Sequence, residues 1–367
     1  MTPRARMEAV YRNTTPDEVP WFADLSNWLV AEKKTRFVPA GSSHMSDEEI
    51  ALHKELGVGA YLNMGAFWKG IYCDDSVKEA AGAEGDLFTW TIATPIGTIQ
   101  EERRWSPISY SWDITRRMLR TPEDMAILRY AFERKHFEPD FAHYQTIQDK
   151  LGDYGFIYAS TGYCGIGFFV SRFMGVANTY YALADRKEDV EHTFEVINAM
   201  RIRELEVMCD SPCPVIFLSD NLSSGTIPPP VFQTYAAQFY RKTAQMAHAK
   251  GKFLSIHVDG TMKGLLPLLS ACGVDCIDAV TPAPMGDLTP SQIREQSGNM
   301  VLCGGISAPA WLGGSEEEFD RCVKNWLDLK AHSPRLIVAP GDQVPPGTDI
   351  ERIRRVGKLT AQYGRFA

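Results

Sequence analysis

The sequence predicts a closed (β/α)8 barrel, and three observations carry that prediction. Eight short apolar runs, of the kind buried on both faces of a sheet, recur along the chain. Most are separated by stretches of helical periodicity, the alternation that builds a parallel sheet. No Gly-x-Gly-x-x-Gly fingerprint follows the first run, so the usual reason to prefer a doubly wound, dinucleotide-binding sheet is missing.

Taken in order, Pro3 to Asn13 reads as a short helix carrying Met7, Val10 and Tyr11. Val19-Pro20-Trp21-Phe22-Ala23 forms the first strand and ends in Asp24. Ser46 is placed to cap a helix to Leu56, with acids in its first turn, and Gly57 to Leu62 gives the second strand. Residues 65–150 break the rhythm. Thr89 to Ile92 and Thr98 to Glu101 flank the turn Thr94-Pro95-Ile96-Gly97, a hairpin. Thr121-Pro122 opens one helix, and another is read around Phe141 to Lys150. This stretch has too few apolar residues for a core of its own. It reads as an insertion over the sheet end, leaving 1–367 as one domain.

The alternation resumes with Gly155 to Ala159 as the third strand, then helices around Phe173 to Leu183 and Arg186 to Met208. Pro214 to Leu218 is the fourth strand, and Val231 to Lys250 is helical. Phe253 to Ile256 is the fifth, a helix covers Gly264 to Ala271, and Cys276 to Val280 is the sixth. Met300 to Gly305 and Leu336 to Ala339 complete the set of eight.

Composition narrows the function classes. A hydrophobic content of 44% and a charged content of 23% are those of a globular protein with an ample core. A net charge of −8 without a Lys/Arg cluster argues against nucleic acid as partner. No stretch is long and apolar enough to span a bilayer, and the first residues lack an apolar leader, so the expected location is the cytoplasm. The eight cysteines are scattered and lack Cys-x-x-Cys spacing, which predicts free thiols in a reducing compartment.

In parallel α/β folds ligands bind at the carboxyl ends of the strands. Those ends would collect Asp24, Asp220, Asn221, His257, Asp259 and Asp342, with Ser160, Thr161, Tyr163 and Gln343 beside them. So acidic a mouth requires that some carboxylates be protonated, paired or bound to a cation. A single strand-end Asp often only caps the next helix, but the set as a whole points to function. Trp28, Phe67, Trp68, Tyr72, Tyr163, Phe168 and Phe169 follow strands or lie in the insertion, several in Gly-punctuated loops. Each could be plain core. Together they suggest an aromatic-lined pocket over a polar floor.

Certain local sequences, in order and spacing, resemble the uroporphyrinogen decarboxylase superfamily over nearly the whole chain. They are Thr94-Pro95-Ile96-Gly97-Thr98, Met174-Gly175, Ser219-Asp220-Asn221-Leu222-Ser223-Ser224 and Pro228-Pro229-Pro230-Val231-Phe232. His257-Val258-Asp259-Gly260 and Pro340-Gly341-Asp342-Gln343-Val344-Pro345-Pro346 complete them. The resemblance implies a (β/α)8 barrel and places the chain near the corrinoid-dependent methyltransferases. True porphyrinogen decarboxylases carry arginines just after the first strand. Here that loop reads Phe22-Ala23-Asp24-Leu25-Ser26-Asn27-Trp28, so a polyanionic tetrapyrrole is disfavoured.

Methyltransferases of the superfamily that act on thiols hold zinc with His-x-Cys near the fifth strand and a Cys near the eighth. The matching residues are His257, Asp259 and Asp342, which offer oxygen in place of both thiolates; a zinc or harder cation there is one option. The other is metal-free acid catalysis by His257 and Asp259. This suits the branch that moves a methyl group from methoxylated aromatics to the cobalt of a corrinoid (cobalamin) on a separate small protein. The chain itself has no Asp-x-His-x-x-Gly cobalamin motif. On that reading His257, Asp259 and Asp220 are catalytic, and Asn221, Asp24, Trp28, Trp68, Tyr163 and Gln343 bind substrate. The expected partners are the corrinoid protein and a small methylated aromatic, with a homodimer among the assemblies allowed. A decarboxylase of an aromatic or pyrrolic acid, and a non-catalytic ligand-binding barrel, are the alternatives.

Overall fold

The computed structural model describes residues 1–36, 45–64 and 67–366. The first two residues of the expected insertion, 65 and 66, lie outside the described residues. Eight parallel strands form the barrel: β1 (Phe22–Ala23), β2 (Gly59–Met64), β9 (Gly155–Thr161), β10 (Val215–Leu222), β11 (Phe253–Val258), β12 (Cys276–Val280), β13 (Val301–Ile306) and β14 (Leu336–Pro340). All eight predicted strands are present. The first is cut to two residues because Pro20 has no N–H to give the ladder. The ring closes where Trp21 pairs in parallel with Val338, whose N–H donates to Pro20 O at 3.0 Å.

The barrel interior is a packed core. Phe22, Phe156, Tyr158, Phe217, Cys276, Cys303 and Ile337 point inward and pack against Met7, Val10 and Tyr11. Those last three come from the helix Pro3–Tyr11, which closes the barrel from within this cluster. All eight cysteines are free thiols. No helix among the described residues is long and apolar enough to cross a membrane.

Between β2 and β9 the chain builds two antiparallel sheets. One pairs β3 (Trp68–Tyr72) with β8 (Lys135–Pro139). The other is four-stranded: β4 (Lys78–Glu84), β5 (Leu87–Thr94), β6 (Gly97–Ser106) and β7 (Ser111–Arg116). The predicted hairpin is its centre, with Thr94 opposite Gly97. The helix Pro122–Glu133 starts at the predicted cap: Thr121 Oγ1 accepts from Asp124 N while Asp124 Oδ2 accepts from Thr121 N. The second helix of this region is shorter than expected, Tyr144–Leu151.

Both neighbours of β11 lose register near their carboxyl ends. β10 slips between Leu218 and Leu222, with Asn221 at a φ of 42°. β12 slips between Ile277 and Val280, with Ala279 at a φ of 60°. A non-glycine residue at positive φ is costly and persists only where its surroundings enforce it. Bulges of this type re-aim side chains and concentrate beside functional sites. Gly304 belongs to the same distortion, since a Cβ there would lie 2.4 Å from Val280 O.

Candidate active site

The fifth strand brings His257 to the barrel mouth, its ring edge-on to Phe217 with centroids 6.2 Å apart. His257 is opposite Asp278 in the β11–β12 register, and its Nδ1 lies 3.3 Å from Asp278 Oδ2. Its Nε2 faces Asp342 Oδ1 at 3.9 Å. Burial pulls the imidazole toward its neutral form. The Asp278 contact and the charges of Asp342 and Asp259 outweigh it and push the pKa up to about 9. At neutral pH the ring is therefore an imidazolium held between carboxylates. The carboxylate touching it is Asp278, while Asp259 acts on it through its charge.

Asp278 escaped that reading. Its signal was a carboxylate in the middle of a strand otherwise read as apolar core, Cys276-Ile277-Asp278-Ala279-Val280. Asp259 leaves the end of β11, its N–H donating to Leu222 O at 3.0 Å, and its charge reaches His257, Asp342 and Tyr163.

Asp342 and Asp24 complete the floor. Asp342 follows β14, and its side chain is 63% exposed. Partial burial in the concave mouth raises its pKa to about 6; His257 opposes the rise and repulsion from Asp24, Asp259 and Asp278 adds to it. Water reaches this carboxylate, so screening trims the burial contribution. Asp24 accepts from Ser26 N at 2.8 Å and from Gln343 Nε2 at 3.2 Å. Burial raises its pKa, those bonds oppose the rise, and Asp278 supports it. Gln343 thus orients Asp24.

Asp220 takes a different position from the one expected. It is 1% exposed, and its oxygens accept from Cys164 N at 3.0 Å and from the Tyr240 hydroxyl. Burial raises its pKa to about 6 against those bonds. Its contacts pin the loop that carries Tyr163. Asn221 stands exposed on the bulge beside it.

The aromatic predictions divide. Tyr163 is half-buried at the mouth, edge-on to Phe168, and feels both Asp220 and Asp259. Trp28 is a core residue, 5% exposed, with its indole N–H donating to Thr348 O at 2.9 Å. Phe168 and Phe169, read as loop residues, are buried by the one-turn helix Gly165–Phe168 and the π-turn Phe169–Phe173. Trp68 sits away from the His257 floor, in a cleft of about 360 Å³ under the insertion, and donates to Glu204 Oε1 at 2.8 Å. Glu204, Arg201 and Thr161 form one buried network there.

His257, Asp259 and Asp342 are the candidates for a metal. Among the described residues no three His, Cys, Asp or Glu side chains converge as a metal cage. His257 engages Asp278 through Nδ1, and its Nε2 faces Asp342. The chemistry these groups support by themselves is proton transfer.

The profile of the uroporphyrinogen decarboxylase (URO-D) family matches residues 169–363. No curated protein sequence matches the chain. Among solved structures, a methyltransferase from Methanosarcina mazei aligns over 99% of both chains at 15% identity and a TM-score of 0.60, which supports the fold. A 3-dehydroquinate dehydratase from Geobacillus kaustophilus HTA426 aligns over 61% of this chain and 75% of its own, at 13% identity and a TM-score of 0.30. A D-psicose 3-epimerase from Clostridium cellulolyticum H10 does so over 59% and 75%, at 10% and 0.34, and neither bears further on the fold. The family match spans more than half of the chain, including Asp220, His257, Asp278 and Asp342, and the chain belongs to the uroporphyrinogen decarboxylase family.

Proposed function

We propose that the protein is a methyltransferase that takes a methyl group from a small methoxyaromatic substrate and passes it to the cobalt of a corrinoid on a separate protein. The observation that carries this reading is His257 at the barrel mouth with its Nδ1 3.3 Å from Asp278 Oδ2, a contact that helps push its pKa up to about 9. Phenolate is a poor leaving group, and a positioned acid speeds its departure by roughly 10²–10⁴-fold. The corrinoid, when docked, supplies the nucleophile for the methyl carbon.

The chain's own residues handle the oxygen. As the C–O bond breaks, its electron pair stays on oxygen, which takes the proton from His257 Nε2. The neutral ring keeps its Nδ1–H on Asp278. Asp342, open to water and with a pKa raised to about 6, relays a proton to Nε2 after product leaves. Asp259 adds negative charge near the ring and so helps hold the imidazole charged between turnovers. Met285, in the loop after β12, and Leu312, at the end of the helix Ala308–Leu312 that follows β13, stand exposed, apolar surface at the strand ends where a partner would seat.

The test is single-turnover demethylation with a reduced corrinoid protein, followed by methylcobalamin absorbance. His257→Ala is expected to slow it about 10²–10⁴-fold. An unchanged rate would falsify the assignment. Release of carbon dioxide without any corrinoid requirement would decide for a decarboxylase.

A further inference from the structure

The cleft that holds Trp68 lies between the insertion sheets and the helix Lys187–Asp210, apart from the His257 floor. Its volume falls within the roughly 300–1,000 Å³ typical of small-ligand sites. Trp68, Phe88, Trp90 and Phe168 wall it, and Arg172 and Arg201 enter it. The guanidiniums lie on aromatic faces: Arg172 is 4.6 Å from the Trp90 centroid and Arg201 is 4.7 Å from that of Phe168. Arg103 approaches Phe88 from 5.7 Å.

The charges around the cleft do not balance. Glu101 is wholly buried and serves two cations. Arg172 meets it through Nε and Nη2, with bonds of 3.1 Å, and Arg103 Nε at 2.8 Å. Arg201 pairs with Glu204, and Lys135 with Glu79. Four cations thus meet three carboxylates, leaving one positive charge over. Arg201 Nε is also buried without a hydrogen-bond partner. A surplus guanidinium on an aromatic wall is the arrangement that recognises a planar anion. Tyr163 links the two regions, sensing both Arg172 and Arg103 on one side and Asp220 and Asp259 on the other.

We infer that this cleft is a binding site for the anionic end of an aromatic ligand, with an aryl carboxylate as its chemical class. It rests on the proposed function only in taking the bound ring to be the methyl donor.

Binding of 4-methoxybenzoate and of uncharged methoxybenzene is compared by calorimetry and by quenching of tryptophan fluorescence, without corrinoid or turnover. The carboxylate is expected to bind at least tenfold more tightly. Arg103→Met removes the surplus charge yet leaves Glu101 paired with Arg172, and should lower carboxylate affinity about tenfold without touching the neutral ether. Glu101→Gln adds a second unpaired charge and should shift carboxylate affinity the opposite way. Equal affinity for the two probes, or no loss with Arg103→Met, overturns the inference. Tight binding of the carboxylate with no demethylation would uphold the site and count against the proposed reaction, so the two failures are distinguishable.

Discussion

The barrel mouth and the cleft beneath the insertion solve opposite electrostatic problems. At the mouth one imidazole faces Asp278, Asp342 and Asp259, and excess negative charge is what keeps the ring protonated. In the cleft Glu101 is outnumbered by Arg103 and Arg172, and excess positive charge is left for a ligand. The floor stores a proton; the cleft stores a vacancy for an anion. That division of labour can be attacked from either side.

The largest effect is expected in the cleft. Arg172→Met strips the two-pronged partner from a fully buried carboxylate, and breaking such a pair costs about 3–5 kcal/mol. A loss of unfolding free energy in urea below about 1 kcal/mol would mean that Arg103 alone satisfies Glu101. Next comes Asp278→Asn, which keeps the shape but removes the charge at Nδ1. It should slow demethylation about a hundredfold, the low end of the range for acid catalysis, and move the alkaline limb of the rate profile from about pH 9 toward neutrality. A slower enzyme with an unmoved limb would assign Asp278 a packing role only.

The same histidine sets a pH dependence of stability. Its folded pKa lies above the ordinary value of 6.5, so its contribution is fully present below about pH 6.5 and is lost as pH rises through about 9. His257→Gln should flatten the thermal stability profile in that window, whereas Arg103→Met should leave its shape alone. The smallest effect belongs to the element that carries the insertion. Thr121→Ala removes one half of a capping box and should cost about 1 kcal/mol in denaturant, with little change in ligand binding.

How much of this was legible in the sequence depends on range. The eight strands, the Thr94–Gly97 turn and the caps at Ser46 and Thr121 are local patterns, and each formed where its residues predicted. Strand β4 is exposed at every residue and shows no apolar alternation, so the four-stranded sheet left no trace beyond its central hairpin. The residue types His257, Asp342 and Asp24 at strand ends were visible as a set. The partnership of His257 with Asp278 depends on inter-strand register and on a bulge at Ala279, neither of which spacing reveals. Glu101 and Arg172 are 71 residues apart, and only the folded insertion makes them neighbours. Trp28 misled because a tryptophan after a strand can turn into the core once a backbone carbonyl, here Thr348 O, accepts its N–H.

The helix Pro3–Tyr11 adds a constraint on supply. Because Tyr11 and its companions fill the barrel with Phe156, Tyr158 and Phe217, His257 communicates with bulk solvent in one direction only, upward. A partner seated over the strand ends would stopper that opening like a flask. The enzyme would then enter each encounter with a fixed stock of one acidic hydrogen on the ring and have to be recharged before the next. Proton delivery and partner departure would be two readings of the same clock.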